Sequence, residues 1–292
     1  MNIDGGDKAA LHHLRCKSQP SLSRLRVRPI AEAQTAFDPL CAYVEGGHIV
    51  RVIARGARLD TFPEALCGLT HLRELDLSHN HITTIPEDIG GMVALQSLNL
   101  MRNKINAVPG QVWGLTNLQS LNIGMNPLGK LSKSVGKLEN LTGLYVHDSG
   151  LRELPDVFDQ LPSLHTLDLA GNPLKRLVIS LRELRSLEYL YIHRLKLTVL
   201  PSYLSKLRAL RYLNASENRL ASIPASFRDL RDLVELRLNH NAILDAPPIL
   251  GTLPKLTELH LRDNQLVRLP PSAGRYPSLQ VLNLRENRLR EL

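Results

Sequence analysis

Few residues in this chain are spaced to do chemistry. His12 and Cys16 stand four residues apart, the interval at which a helix turns two metal ligands to one face. A closed zinc site needs four donors, and no second pair follows at ligand spacing. The stretch Gly124-Met-Asn-Pro-Leu-Gly129-Lys130-Leu131 has the glycine and lysine spacing of a phosphate-binding loop, but Leu131 stands where Ser or Thr must meet magnesium. His147 and His193 lie 46 residues apart with no third ligand marked between them. No G-x-S-x-G, H-E-x-x-H or paired CxxC occurs, so the common hydrolase, metalloprotease and thiol-transfer arrangements are missing. No metal, cofactor or catalytic residue is expected, and the remaining polar and aromatic groups must act as surface contacts.

What places those groups is a repeat. In Leu72-Arg-Glu-Leu75-Asp-Leu77-Ser-His-Asn80-His-Ile82-Thr-Thr-Ile85-Pro86 the apolar residues occupy the first, fourth, sixth, eleventh and fourteenth places, with Asn ninth. The frame recurs every 23 residues from Ile49 to Leu279, eleven units without insertion or loss. One unit cannot bury its apolar side alone, so a fixed period of this size predicts a stack of coils. The fourth and sixth places, two apart, point inward from a short strand, and the residues between them point to solvent. The ninth-place Asn, present in eight of the eleven units, comes where the chain leaves the strand and can pair with backbone groups the turn leaves open. After Pro86, Pro109, Pro201 and Pro224 the apolar spacing changes to three, which predicts short helices or 3₁₀ turns on the outer side. The predicted fold is an α/β solenoid: a horseshoe with a parallel concave sheet, short helices or 3₁₀ turns on its convex side and an N-terminal helical cap.

This frame resembles the 23-residue class of leucine-rich repeat found in the Ras-pathway scaffold family, in plant intracellular Ras-group proteins and in bacterial effectors. The resemblance runs from Ile49 to Leu292. It implies a binding platform whose partner is chosen by exposed residues and which is sometimes joined to a catalytic domain elsewhere.

Three segments are expected: a flexible polar and basic tail over 1–29, a helical N-terminal cap over 30–48, and the solenoid over 49–292 with its last unit truncated. The cap rests on Ile30, Ala33, Phe37, Leu40, Cys41 and Val44 at helical intervals, on Asp38-Pro39 as a capping pair, and on Gly46-Gly47 as its stop. At the other end Tyr276 replaces a repeat Leu and no polar unit follows Leu292, so that edge is open either to a dimer partner or to a further domain. Three scattered cysteines, Cys16, Cys41 and Cys67, form no paired caps and favour a reducing compartment. No transmembrane segment and no signal-peptide core are present in the sequence. The expected location is therefore the cytoplasm, or a host cell reached by a route without a Sec signal peptide; an arginine-rich basic complement leans the source toward bacteria.

Solvent-facing strand places carry the candidate site. The fifth place includes Tyr145, Asp168, Tyr191 and Arg237; the third adds Tyr189 and Tyr212; the seventh adds His147 and His193; Arg194 borders them at the eighth. With strands about 4.8 Å apart, Tyr189 and Tyr212 can touch, and Tyr145 and Tyr191 lie roughly 10 Å apart across Asp168. Tyrosine and arginine concentrate in protein interfaces, which makes these eight residues other than Asp168 the expected protein-binding set. A nucleic-acid groove would be strongly basic, and the four solvent-facing columns carry seven basic against nine acidic residues. Positive charge collects on the outer side instead, for example at Lys137, Arg182, Arg185 and Arg208, and reads as a solvated face. The expectation is a non-catalytic protein–protein interaction module, a bacterial effector, that holds a protein partner on its concave face around repeats five to eight. The alternative is the substrate-recognition portion of a larger enzyme, such as a ubiquitin-ligase or nucleotidyl-transferase effector, with catalysis outside the chain.

Overall fold

The computed structural model describes residues 2–15, 22–34, 39–245, 251–269 and 278–290, which leaves Cys16, Phe37, Asp38, Tyr276 and Leu292 outside the described residues. The chain divides into two compact units, Met1–Leu144 and Tyr145–Leu292. In the first, helix α1 (Gly5–His13) is followed by β1 (Arg26–Pro29), β2 (Leu40–Glu45), β3 (His48–Ala54), β4 (Glu74–Asp76), β5 (Ser97–Asn99) and β6 (Ser120–Asn122). Strand β7 (Gly143–Tyr145) belongs to the fifth repeat. The second unit holds β8 (Thr166–Asp168), β9 (Tyr189–Tyr191), β10 (Tyr212–Asn214), β11 (Glu235–Arg237), β12 (Glu258–His260) and β13 (Val281–Asn283).

Pairing follows the period. From β3 to β6, and again from β8 to β13, neighbouring strands run parallel and in register one repeat apart, as in Leu75↔Leu98 and Leu190↔Leu213. The inward fourth-place leucines from Leu75 to Leu259 are at most 1% exposed. Leu282 at the same place in β13 is 38% exposed, and Val281 beside it 42%. The outer segments are 3₁₀ turns, among them Glu87–Gly91, Gly110–Gly114, Ser202–Lys206 and Ala225–Asp229, each opened by a proline at its N-cap. Ile89, Val112, Leu204 and Phe227 bury their side chains from these turns, because side chains three apart eclipse in a 3₁₀ turn and present one narrow apolar edge.

Asparagine closes the coil. Asn80 Nδ2 donates to the carbonyls of Ala54 at 2.9 Å and Leu77 at 2.8 Å, while its Oδ1 accepts from Leu59 N at 3.0 Å. Asn103, Asn126, Asn172, Asn218, Asn241, Asn264 and Asn287 repeat that pattern, so each ties its own strand exit to the preceding one. The residue before the ladder asparagine is left-handed in every repeat but is glycine only at Gly56 and Gly171, as His79, Arg102, Asp148 and Arg194 illustrate with φ between 49° and 58°. The asparagine is missing from the first repeat, at Ala57, and from two later repeats, at Ser149 and Leu195. In the later two the next ladder residue takes a second backbone N–H: Asn172 accepts from Ser149 and Leu151, and Asn218 from Leu195 and Leu197.

The N-terminus corrects the sequence reading at both predicted segments. Among the described residues of 30–48 the structure forms a 3₁₀ turn at Ile30–Gln34, and Leu40–Glu45 is a strand that pairs antiparallel with β3. Gly46 and Gly47, at φ +57° and +88°, form the two-residue connection between Glu45 and His48. Two successive left-handed residues match the twist of a hairpin, so Gly-Gly here joins strands instead of stopping a helix. The helix that docks on this end lies in the expected flexible tail. Asp4 caps α1 through Gly6 N, the Asp4 amide donates to Gly47 O at 2.8 Å, and buried Asp7 accepts from Ile49 N at 2.6 Å. Leu11 and Leu14 are buried on the same end.

Candidate binding surface

The strand face turned away from the leucines carries the candidate residues. In the second unit β9 and β10 pair Tyr189 with Tyr212 and Tyr191 with Asn214. The Tyr189 and Tyr212 rings lie 6.4 Å apart, and the Tyr191 and Tyr212 rings 5.0 Å apart at 40°, a tilted aromatic cluster. Arg237 lies 5.9 Å over the Tyr212 ring, and its Nε donates to Glu235. Tyr145, Tyr191 and Tyr212 are half-buried and Tyr189 is 38% exposed, so the strands fix the rings while leaving surface free.

A second group adjoins this one. His147 Nδ1 stands 3.3 Å from Asp168 Oδ2, close enough to share a proton though not aligned as a full hydrogen bond. The Asp168 carboxylate, nearby and partly bonded, holds the His147 imidazolium above the ordinary histidine value against an opposing burial penalty. His193 is pushed the other way by burial, and its Nδ1 is enclosed without a hydrogen-bond partner among the described residues. Arg194 Nη2 reaches Asp148 Oδ1 at 2.6 Å across two repeats. The bridge passes over Gly171, where an added Cβ would meet Asp148 Oδ1 at 2.0 Å and Arg194 Nη2 at 2.7 Å. Burial raises the Tyr191 and Tyr212 phenols, so they stay protonated and serve as donors, not bases.

The family pattern described as "Leucine-rich repeat region" matches residues 60–148, and the one described as "Leucine rich repeat" matches 180–243. No curated protein sequence matches the chain. Among solved structures, a leucine-rich repeat protein of Leptospira interrogans is 30% identical, the match covering 83% of this chain and 74% of that one with a TM-score of 0.67. The chain belongs to the leucine-rich repeat family. The leucine-rich repeat ectodomain of the Arabidopsis thaliana membrane receptor kinase GASSHO1/SCHENGEN3, solved in complex with CASPARIAN STRIP INTEGRITY FACTOR 2, is 27% identical over 85% of this chain, with a TM-score of 0.59. This leucine-rich repeat chain spans only 28% of that ectodomain. An internalin of Listeria monocytogenes, 22% identical, shares the fold at a TM-score of 0.57 over 97% of this chain and 93% of its own.

All eight expected site residues of this leucine-rich repeat protein fall in the second unit, in two adjoining groups. Three partners were missed at the sequence level: Asp148, the anchor of Arg194; Glu235, the anchor of Arg237; and Asp168, the carboxylate against His147. Their fifth-, third- and eighth-place positions were visible, but the pairings depend on side-chain reach. Glu235, Glu258 and His260 bring ligand-type atoms within 4.8 Å of one another, as do Asp4, Asp7 and His48. In the first set Arg237 binds Glu235, and in the second Ile49 N binds Asp7, so both are occupied by internal contacts. The phosphate-loop spacing is absorbed by the repeat, since Leu128 and Leu131 are 6% and 7% exposed. On the outer side Arg182 and Arg185 share Glu183, and Arg208 pairs with Asp229, as on a solvated face. Among the described residues no helix is long and apolar enough to cross a membrane.

Proposed function

We propose that this leucine-rich repeat protein is a non-catalytic module that grips one protein partner on the strand face of its second unit, around repeats five to eight. The observation that carries this reading is the cluster of Tyr189, Tyr191 and Tyr212, with ring centres 5.0 to 6.4 Å apart and Tyr189 exposed. Rigid strands hold these rings in place before a partner arrives, which lowers the ordering cost of binding. Their size and polar tips are those of interface anchors. Leucine-rich repeat domains serve as protein-interaction scaffolds, and the Arabidopsis ectodomain was solved in complex with CASPARIAN STRIP INTEGRITY FACTOR 2. The test is affinity for a partner obtained by capture: Tyr191→Ala and Tyr189→Ala each weaken binding by about 2 kcal/mol with the fold unchanged. Full affinity in both variants would move the site elsewhere.

The second reading makes the same face the substrate-recognition part of a larger effector enzyme, with the chemistry outside these residues. Both readings share the tyrosines of the patch. An intracellular setting, in the producing cell or a host, is proposed from Cys67, which is a buried free thiol. Burial pushes the Cys67 thiol up to about 11, which leaves it protonated and slow to react.

A further inference from the structure

The fifth place of each repeat has a structural duty that does not require charge. Its side-chain oxygen accepts the backbone N–H two residues on: Asn99, Asn122, Asn214 and Asn283 do this at 3.1 to 3.3 Å. Asp168 makes the same bond to Ala170 N at 3.0 Å, so its carboxylate brings a charge that an asparagine would not, with no gain to the turn. That charge is only 18% exposed and pairs in register with Tyr191, while Tyr145 stands one repeat earlier at the same place. The Tyr191 phenol is raised first by burial, with Tyr212, Asp168 and Tyr145 adding to it.

The surrounding balance is negative although the whole chain carries +8. From Tyr145 onward the four solvent-facing strand columns hold seven carboxylates against four arginines. Arg194, Arg237 and Arg262 are each committed to a carboxylate of their own, Asp148, Glu235 and Glu286. Among the described residues, Asp168, Glu217, Glu258 and Asp263 form no ion pair with an arginine; Asp168, Glu258 and Asp263 face His147, His260 and His240 instead. The cation geometry this face favours is already present inside the chain, where Arg237 lies over Tyr212.

Resting on the tyrosine-patch reading, we propose that the patch recognises a basic segment of its partner, seating an arginine or lysine side chain against the Asp168 carboxylate between Tyr145 and Tyr191. A guanidinium gains charge-assisted hydrogen bonds from the carboxylate and attraction from the aromatic faces. An acidic segment would meet like charge and be rejected.

The experiment uses the full chain and fluorescence anisotropy with short labelled oligo-arginine and oligo-glutamate peptides at low salt. Oligo-arginine binds; Asp168→Asn, which keeps the acceptor for Ala170 N, weakens it at least roughly tenfold, as does Tyr191→Ala. Asp76→Asn removes the same charge from the same place of a repeat without tyrosines and leaves affinity within about twofold. Equal losses from Asp76→Asn and Asp168→Asn, or tighter binding of oligo-glutamate, overturn the proposal. With a captured partner the two readings separate. If Tyr191→Ala abolishes binding and Asp168→Asn does not, the patch stands and the cation falls; if neither variant matters, both fall.

Discussion

His147 and His193 occupy the same place two repeats apart and are driven in opposite directions. His147 gains from Asp168 and is raised above the ordinary histidine value of 6.5; Asp148 adds to this and Arg194 opposes it. Its contribution to stability is therefore complete below pH 6.5 and is lost as pH rises through its higher folded value. His193 is lowered from 6.5 by burial, so its contribution is present above pH 6.5 and lost as pH falls through its lower folded value. Histidine proton NMR should give a midpoint above 6.5 for His147 and below 6.5 for His193, and Asp168→Asn should bring the His147 midpoint down. A His147 midpoint unmoved by that substitution would remove Asp168 as its cause. The column that holds both histidines was readable from the period alone. Their divergence was not, because it depends on which side chain reaches which neighbour, and the sequence leaves Asp168 free to face His147, His193 or solvent.

At the scale of elements, the ladder asparagines hold more than their propensity conveys. Asn80 accepts one backbone N–H, that of Leu59, whereas Asn218 accepts two, those of Leu195 and Leu197. Each unmade bond strands a backbone group beside buried leucines, at a cost of about 1 kcal/mol or more. Asn218→Ala should therefore lower stability by about 1 kcal/mol more than Asn80→Ala, read as the difference between their urea midpoints. Equal losses would mean that the second N–H finds another acceptor. Strand and ladder positions were legible because a strict period fixes inward and outward places at once. The hairpin of β2 and β3 was not: Leu40, Cys41 and Val44 satisfy a helical spacing, and Gly46-Gly47 reads equally as a helix stop and a two-residue turn. Hydrogen bonding to β3 decides for the strand, and α1 covers the hairpin from the segment whose polar composition suggested a tail.

For the molecule as a whole, stacking one short coil on the next makes the interior uniform and frees the strand face to vary. That separation explains why the leucine places are alike in all repeats while the solvent places of repeats five to eight carry tyrosine, histidine and arginine. The chain's +8 charge is likewise divided, with arginines on the outer turns paired locally and carboxylates in excess on the strand face of the second unit. The outer-turn Tyr203 stands away from that face and serves as an internal reference. Hydroxyl-radical footprinting with and without the captured partner tests the central claim most directly. The account predicts that the partner protects Tyr145, Tyr189, Tyr191 and Tyr212 severalfold while oxidation of Tyr203 is unchanged; protection of Tyr203 with the four strand tyrosines still fully reactive would contradict it.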